Sequence, residues 1–299
     1  MVDKENGQCY NNRALNPMGQ LIDGKAIAQK IEQETAARVA ALKQTGATPK
    51  LAVILVGEDK PSQTYVRKKG EAAKKAGMNF ALHEIKESTS TLELIEKIEE
   101  IQSDSELSGL IVQLPLPPQI DTNAVLNTIR PEIDIDCLTE VNLGKLIMKS
   151  NLIEPPTPGA VMSFLEHLQV DLVGKNVTII GAGPLVGKPL AVMMINARAS
   201  VTVCNSKTRD TKEKCLAADV IVTGVGKKDV LRGDMVRKGA IVIDTGVDFV
   251  EGKMYGDVNV DEVVQNAGWV TPTPGGVGPI TVARLLLNTI TCAENKLKN

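Results

Sequence analysis

Residues 176–190, NVTIIGAGPLVGKPL, decide the fold class of this chain. A short apolar strand pattern, NVTII, runs into Gly181-Ala182-Gly183, and a helical pattern opens near Gly187. Strand, glycine turn and helix in that order give a dinucleotide fingerprint its physical meaning. Gly181 permits the tight turn, and Gly183 lets the backbone approach a pyrophosphate. The helix start then offers unpaired amides and a favourable dipole. The third glycine stands one residue late for GxGxxG, and a turn needing glycine only for its bend is the competing reading. A Walker loop fails, because Pro189 replaces the Ser or Thr that would bind magnesium.

Working outward, strand and helix patterns alternate on both sides. SVTVC (200–204), VIVTGVG (220–226) and AIVIDTGV (240–247) read as strands of the same half. Upstream, LAVILVG (51–57), ALHEI (81–85) and GLIVQLPLP (109–117) read as buried strands, the last stopped by prolines. Helical patterns cover 22–44, 62–76, 91–102, 158–169 and 187–197. The alternation predicts an α/β protein with parallel sheets and crossover helices. The polar, proline-rich NLIEPPTPG divides it into two domains. Residues 1–154 form one, completed by the C-terminal helix at about 280–299, and residues 155–279 form a Rossmann-type domain.

Composition removes several function classes. The chain has 299 residues, 43% of them hydrophobic, with only three Phe, three Tyr and one Trp. Aliphatic residues must therefore do most of the packing, as in α/β proteins. A net charge of -2, from 34 basic and 36 acidic residues, gives no footprint for nucleic acid. No apolar run reaches membrane-span length, and MVDKENGQCYNNR lacks a signal-peptide core, which points to the cytoplasm. Cys9, Cys137, Cys204, Cys215 and Cys292 are scattered without a CxxC pair and read as reduced thiols. With only His83 and His167, no metal site is expected, and no GxSxG elbow supports a serine hydrolase.

Candidate chemistry lies in four further places. After the strand 200–204 stand Ser206, Lys207 and Arg209, with no Asp or Glu from 204 to 209 to hold a ribose hydroxyl. A hydroxyl and two cations suit a 2'-phosphate, favouring NADP with NAD possible; a solvated basic turn is the other reading. Tyr65 and Lys69 share one face of a basic helix. A lysine beside an apolar cleft can act as acid or base, although spacing alone favours one more exposed cation. Gln113, read as lying inside an apolar strand, needs hydrogen-bond partners, and a lysine ammonium is one candidate. Asp134 and Asp136 precede a helix, where capping is the simpler reading.

PTPGGVGPIT (272–281) packs three glycines and three prolines before an apolar helical run. It reads as a rigid ligand-facing loop or as a tight helix start, with Pro279 in the first turn and Thr281 near the cap.

Together SQTYVRKK, GLIVQLPLP, DIDCLTEVNLGKL, PPTPGAV, VGKPLAVMM and PTPGGVGPITVA are similar, in order and spacing, to the bifunctional methylenetetrahydrofolate dehydrogenase/cyclohydrolase family. The resemblance spans about residues 20 to 290. It implies a substrate domain and a Rossmann domain facing one another across a cleft, usually in a homodimer. It further implies oxidation of 5,10-methylene-tetrahydrofolate with NADP and hydrolysis of the methenyl product to 10-formyl-tetrahydrofolate.

By the same resemblance, Lys69 is the general acid/base and Gln113 orients it. Tyr65 flanks the folate ring, Asp136 holds the pterin nitrogens, and Pro272, Gly275 and Gly276 line the pocket. Gly181, Ala182, Gly183, Ser206 and Val247 would contact the cofactor. The chain departs from the family pattern at Cys137, Pro156, Ala182-Gly183 and Thr273. A monofunctional dehydrogenase and an amino-acid or shikimate-type dehydrogenase are the alternatives.

Overall fold

A computed structural model describes residues 19–298; Cys9 lies outside them. The elements run β1 (Gln20–Leu21), α1 (Gly24–Gln44), β2 (Lys50–Val56), α2 (Lys60–Lys75), β3 (Asn79–Ile85), α3 (Thr91–Gln102) and β4 (Leu107–Val112). Then come α4 (Thr122–Thr128), α5 (Glu140–Ile147), α6 (Pro156–His167), β5 (Asn176–Ile180), α7 (Gly187–Asn196), β6 (Ser200–Cys204), α8 (Thr211–Leu216) and β7 (Val220–Thr223). β8 (Ile241–Asp244), β9 (Asp248–Val250), β10 (Lys253–Tyr255), α9 (Val260–Val263), β11 (Trp269–Val270) and α10 (Val277–Lys296) complete the order.

The first half builds a parallel sheet in the order β3-β2-β4. β2 is central, and Leu51 to Val56 are buried, which explains its unbroken apolar run. α2 starts where the Asp59 carboxylate accepts from the Ser62 amide at 2.9 Å. It ends before Gly77, at φ 84°, with Lys74 and Lys75 in its last turn, the favourable end for cations. α3 opens with a reciprocal capping box between Ser90 and Glu93.

The second half builds a six-stranded parallel sheet in the order β1-β11-β8-β7-β5-β6. The order in which strands are added reverses at β5, with β6 on one side and β7 on the other, so the glycine turn leaves the sheet at a switch point, the usual ligand crevice of such folds. Two features had no sequence expectation. β1 joins this second sheet beside β11, although its position in the chain groups it with the first half. β9 and β10 form an antiparallel hairpin.

Two helices run from one core to the other. Ile27 and Ala28 of α1, with Val277, Ile280 and Ala283 of α10, pack beneath the six-stranded sheet with Phe164 and Ile179. Further along, Val39 and Leu42 of α1 and Leu285, Leu286 and Ile290 of α10 pack against Leu51, Val53 and Leu55 of β2. Each fully buried Leu or Ile contributes about 1.5–3 kcal/mol, so these helices bind both halves strongly.

Candidate active site

Tyr65 and Lys69 stand one turn apart on α2, both half-buried. The Lys69 Nζ donates to Gln113 Oε1 at 3.0 Å. The Gln113 Nε2 donates to the Leu114 carbonyl at 2.7 Å, which fixes the amide with its oxygen toward the amine. Gln113 does not lie inside a strand. β4 ends at Val112, because Pro115 and Pro117 bring no amide donors to continue the ladder. Gln113 therefore sits at the strand's end, where its side chain can reach α2.

The two acids of the DIDCL segment separate cleanly. Thr139 caps α5, its hydroxyl accepting from the Asn142 amide at 3.2 Å, and Asp134 braces the turn before it: its carboxylate accepts from the Leu138 and Thr139 amides and from Asn142 Nδ2, at 3.1, 2.9 and 2.9 Å. The Asp136 carboxylate has no hydrogen-bond partner among the described residues, and it feels the charge of Lys69. Burial lowers the Lys69 pKa, opposed by Asp136, and burial raises that of Asp136, opposed by Lys69. The two side chains keep some solvent contact while protein encloses their charged ends. Burial also raises the Tyr65 pKa.

The 272–276 loop is held from two sides. The Gly24 amide donates to the Gly275 carbonyl at 3.2 Å. On the other side Thr271 Oγ1 accepts from the Asp244 amide at 2.8 Å, and Thr273 Oγ1 donates to Asp244 Oδ2 at 3.4 Å. Pro272 and Gly275 are half-buried and Gly276 is buried. Pro279 does lie in the first turn of α10, but Thr281 is no cap: the helix begins at Gly276, and the Thr281 hydroxyl donates one turn back to Val277.

The glycine turn at 181–187 is equally well defined. The Gly181 amide donates to Cys204 at 2.9 Å with φ 119°. A Cβ on Gly187 would lie 1.9 Å from the Gly181 carbonyl, so only glycine fits there. A Cβ on Gly183 would meet nothing within 4 Å, leaving an open cradle beside half-buried Ala182. α7 starts without a side-chain cap; Lys188 donates to the Gly183 carbonyl at 3.0 Å and Pro189 has no amide hydrogen, so the Gly187 amide is the one in this first turn left for an anion among the described residues.

Ser206, Lys207 and Arg209 lie exposed on the turn after edge strand β6. Asn205 and Thr208 hold that turn through the Lys207 and Asn205 amides, which leaves the other three side chains free of hydrogen bonds among the described residues. Val247 follows β8, half-buried, with its carbonyl against Gly226. A separate cavity of about 580 Å³ lies away from all these groups, bordered by Arg38, Glu154, Ser163, Arg284 and Asn288.

Sequence reasoning missed Asp244, Asp257 and Asn288. Asp244 accepts from the Thr223 hydroxyl and the Gly246 and Val258 amides, and Asp257 accepts from the Val225 and Lys227 amides. Asn288 interrupts the apolar run LLLNTI, the signal that singled out Gln113 in LIVQLPLP.

The six-stranded sheet with its open glycine turn, joined to an α/β layer carrying an enclosed Lys-Gln-Asp set, defines a two-domain, nucleotide-dependent enzyme. Residues 22–136 match the family model for the tetrahydrofolate dehydrogenase/cyclohydrolase catalytic domain, and residues 155–297 match that for its NAD(P)-binding domain. The bifunctional protein FolD of Campylobacter curvus is 44% identical over 280 residues, covering 93% of this chain and 97% of its own.

Two solved structures are similar. The bifunctional FolD enzyme of Campylobacter jejuni has a TM-score of 0.90 at 40% identity, covering 93% of this chain and 99% of that one. The Trypanosoma brucei dehydrogenase-cyclohydrolase, complexed with NADP cofactor and inhibitor, has a TM-score of 0.91 at 37% identity, covering 95% and 100%. The chain belongs to the tetrahydrofolate dehydrogenase/cyclohydrolase family.

Proposed function

We propose that this chain oxidises 5,10-methylene-tetrahydrofolate to the 5,10-methenyl compound with NADP, and hydrolyses that product to 10-formyl-tetrahydrofolate. The Lys69–Gln113 hydrogen bond within reach of the Asp136 charge carries this reading in a chain of this family. Hydride transfer itself needs no strong acid or base, only alignment at contact distance. Bound NADP supplies the hydride acceptor. The open turn at Gly181, Ala182 and Gly183, with the uncapped start of α7, fits its pyrophosphate, and Val247 borders the same crevice. Ser206, Lys207 and Arg209 suit its 2'-phosphate. NAD is a second reading, because Asp210 stands one residue beyond that turn.

Hydrolysis requires a proton to leave the attacking water and another to reach the departing ring nitrogen. Lys69, whose ammonium form burial disfavours, can pass protons in both directions, taking one from the water and giving one to the nitrogen, with Gln113 fixing its direction. Asp136 accepts from the pterin nitrogens, Tyr65 flanks the ring, and Pro272, Gly275 and Gly276 line the opposite wall. Residues 1–154 with the C-terminal helix act as the substrate domain, and 155–279 as the nucleotide domain. No helix among the described residues is long and apolar enough to cross a membrane. The enzyme works in the cytoplasm as a homodimer; Ile147, Met148 and Ile195, exposed on the adjacent helices α5 and α7, support a self-association face.

Purified protein given 5,10-methylene-tetrahydrofolate should reduce NADP faster than NAD; no reduced nicotinamide with either would end the dehydrogenase reading. A Lys69→Met variant should lose about 10²–10⁴-fold in methenyl hydrolysis while still binding folate. Unchanged hydrolysis would remove Lys69 from the chemistry.

A further inference from the structure

Asn288 lies in the apolar middle of α10 and is only 4% exposed. A buried amide in such a place costs stability unless its groups are bonded. Its Nδ2 donates twice, to the Ile135 carbonyl and to the Glu154 carbonyl, each at 2.8 Å. One turn earlier Arg284 donates to the Glu154 carboxylate and, at 3.0 Å, to Ser163 Oγ on α6. α10 thus grips the link between the two halves at Glu154 and touches the backbone immediately before Asp136.

That second contact bears on the folate site. Asp134, on one side of Ile135, is held through its side chain by the start of α5. Asp136, on the other side, has no hydrogen bond among the described residues to set its direction, so its carboxylate points where its backbone aims it. Ile135 is fully buried against Leu286 and Ile290, and its carbonyl bond to Asn288 fixes the remaining freedom of the peptide. The same helix begins at the 272–276 loop, eleven residues earlier, or about 16 Å along its axis.

We propose that Asn288 is a positioning residue for the folate site. It aims Asp136 through the Ile135 carbonyl and ties that loop to the interdomain link at Glu154. The inference rests on the reading of Asp136 as a folate ligand. A purely structural amide would support stability alone; a positioning amide also sets folate affinity.

Asn288→Leu removes both donors at similar volume, Asn288→Asp turns the donor into an acceptor, and Asn288→Ser keeps a smaller donor. Variants that retain wild-type NADP affinity are folded and informative. In these, KM for 5,10-methylene-tetrahydrofolate should rise about tenfold or more for Leu and Asp and less for Ser, with KM for NADP unchanged; tenfold corresponds to about 1.4 kcal/mol. A lower melting temperature with unchanged folate KM would overturn the proposal.

Asp136→Ala separates the two readings. If it leaves folate KM unchanged, the Asp136 reading fails; if it raises folate KM while the Asn288 variants do not, only the Asn288 inference fails. Wild-type protein gives a test that needs no variant to fold. Saturating 10-formyl-tetrahydrofolate should slow amide exchange over 134–139 and 284–290 together, and protection of the first segment alone would overturn the coupling.

Discussion

At the scale of single residues, burial sets the chemistry more than neighbours do. Desolvation is the leading cause of shift for Lys69, Asp136 and Tyr65; Lys69 and Asp136 oppose one another's shifts, and Asp134 adds to the rise of Asp136. Asp244 extends the pattern away from these three residues. Burial carries its carboxyl from the ordinary 3.8 up to about 6, despite bonds from Thr223, Gly246 and Val258 that favour the ion. The folded protein therefore keeps this proton to about pH 6, whereas the unfolded chain releases it near pH 4. Between those values the unfolded state binds fewer protons, so stability falls as pH rises, by about 3 kcal/mol for this group alone. Urea midpoints measured from pH 4 to 6 should show that fall, and Asp244→Asn should flatten it; an unchanged slope would mean Asp244 is not its source. Thr273 reaches Asp244 at 3.4 Å, a long bond that adds one more weak tie from the loop to this acid.

At the scale of elements, ends matter more than middles. The middles of β2, α3 and β6 were legible because apolar period and capping residues lie within a few positions of one another. The end of β4 was not, since proline removes a donor that only a neighbouring strand makes necessary. Nor was the start of α10, where Gly276 replaces the hydroxyl cap that Thr281 suggested. The partner of that start is 252 residues away in sequence: a Cβ on Gly24 would come within 1.9 Å of the Gly276 carbonyl. Gly24→Ala should therefore push the 272–276 loop away from its place, raising KM for folate and leaving KM for NADP near its original value. Equal rises in both constants would mean that the substitution disturbs the whole fold rather than the loop.

At the scale of the molecule, α1 and α10 each contribute to both hydrophobic cores, and α10 also carries Arg284 and Asn288 to the link between halves. Cores that share their helices should melt together. The chain's single tryptophan, Trp269, sits in β11 and reports on the six-stranded sheet alone. Its fluorescence should change at the same urea concentration as the far-ultraviolet circular dichroism of the whole chain; two separated midpoints would show that the halves unfold independently. By itself the sequence determined the α/β class, the glycine turn and the residue types of the candidate site, because strand period, glycine spacing and side-chain chemistry are properties of short segments. It also presented Lys69, Gln113 and Asp136 as separate candidates. Only the tertiary structure decided that Lys69 meets Gln113, that Asp134 braces the turn before α5 while Asp136 stays open, and that Asn288 reaches Ile135. Those are contacts between distant segments, and burial, which gives them their energy, exists only once the sheets and shared helices have closed around them.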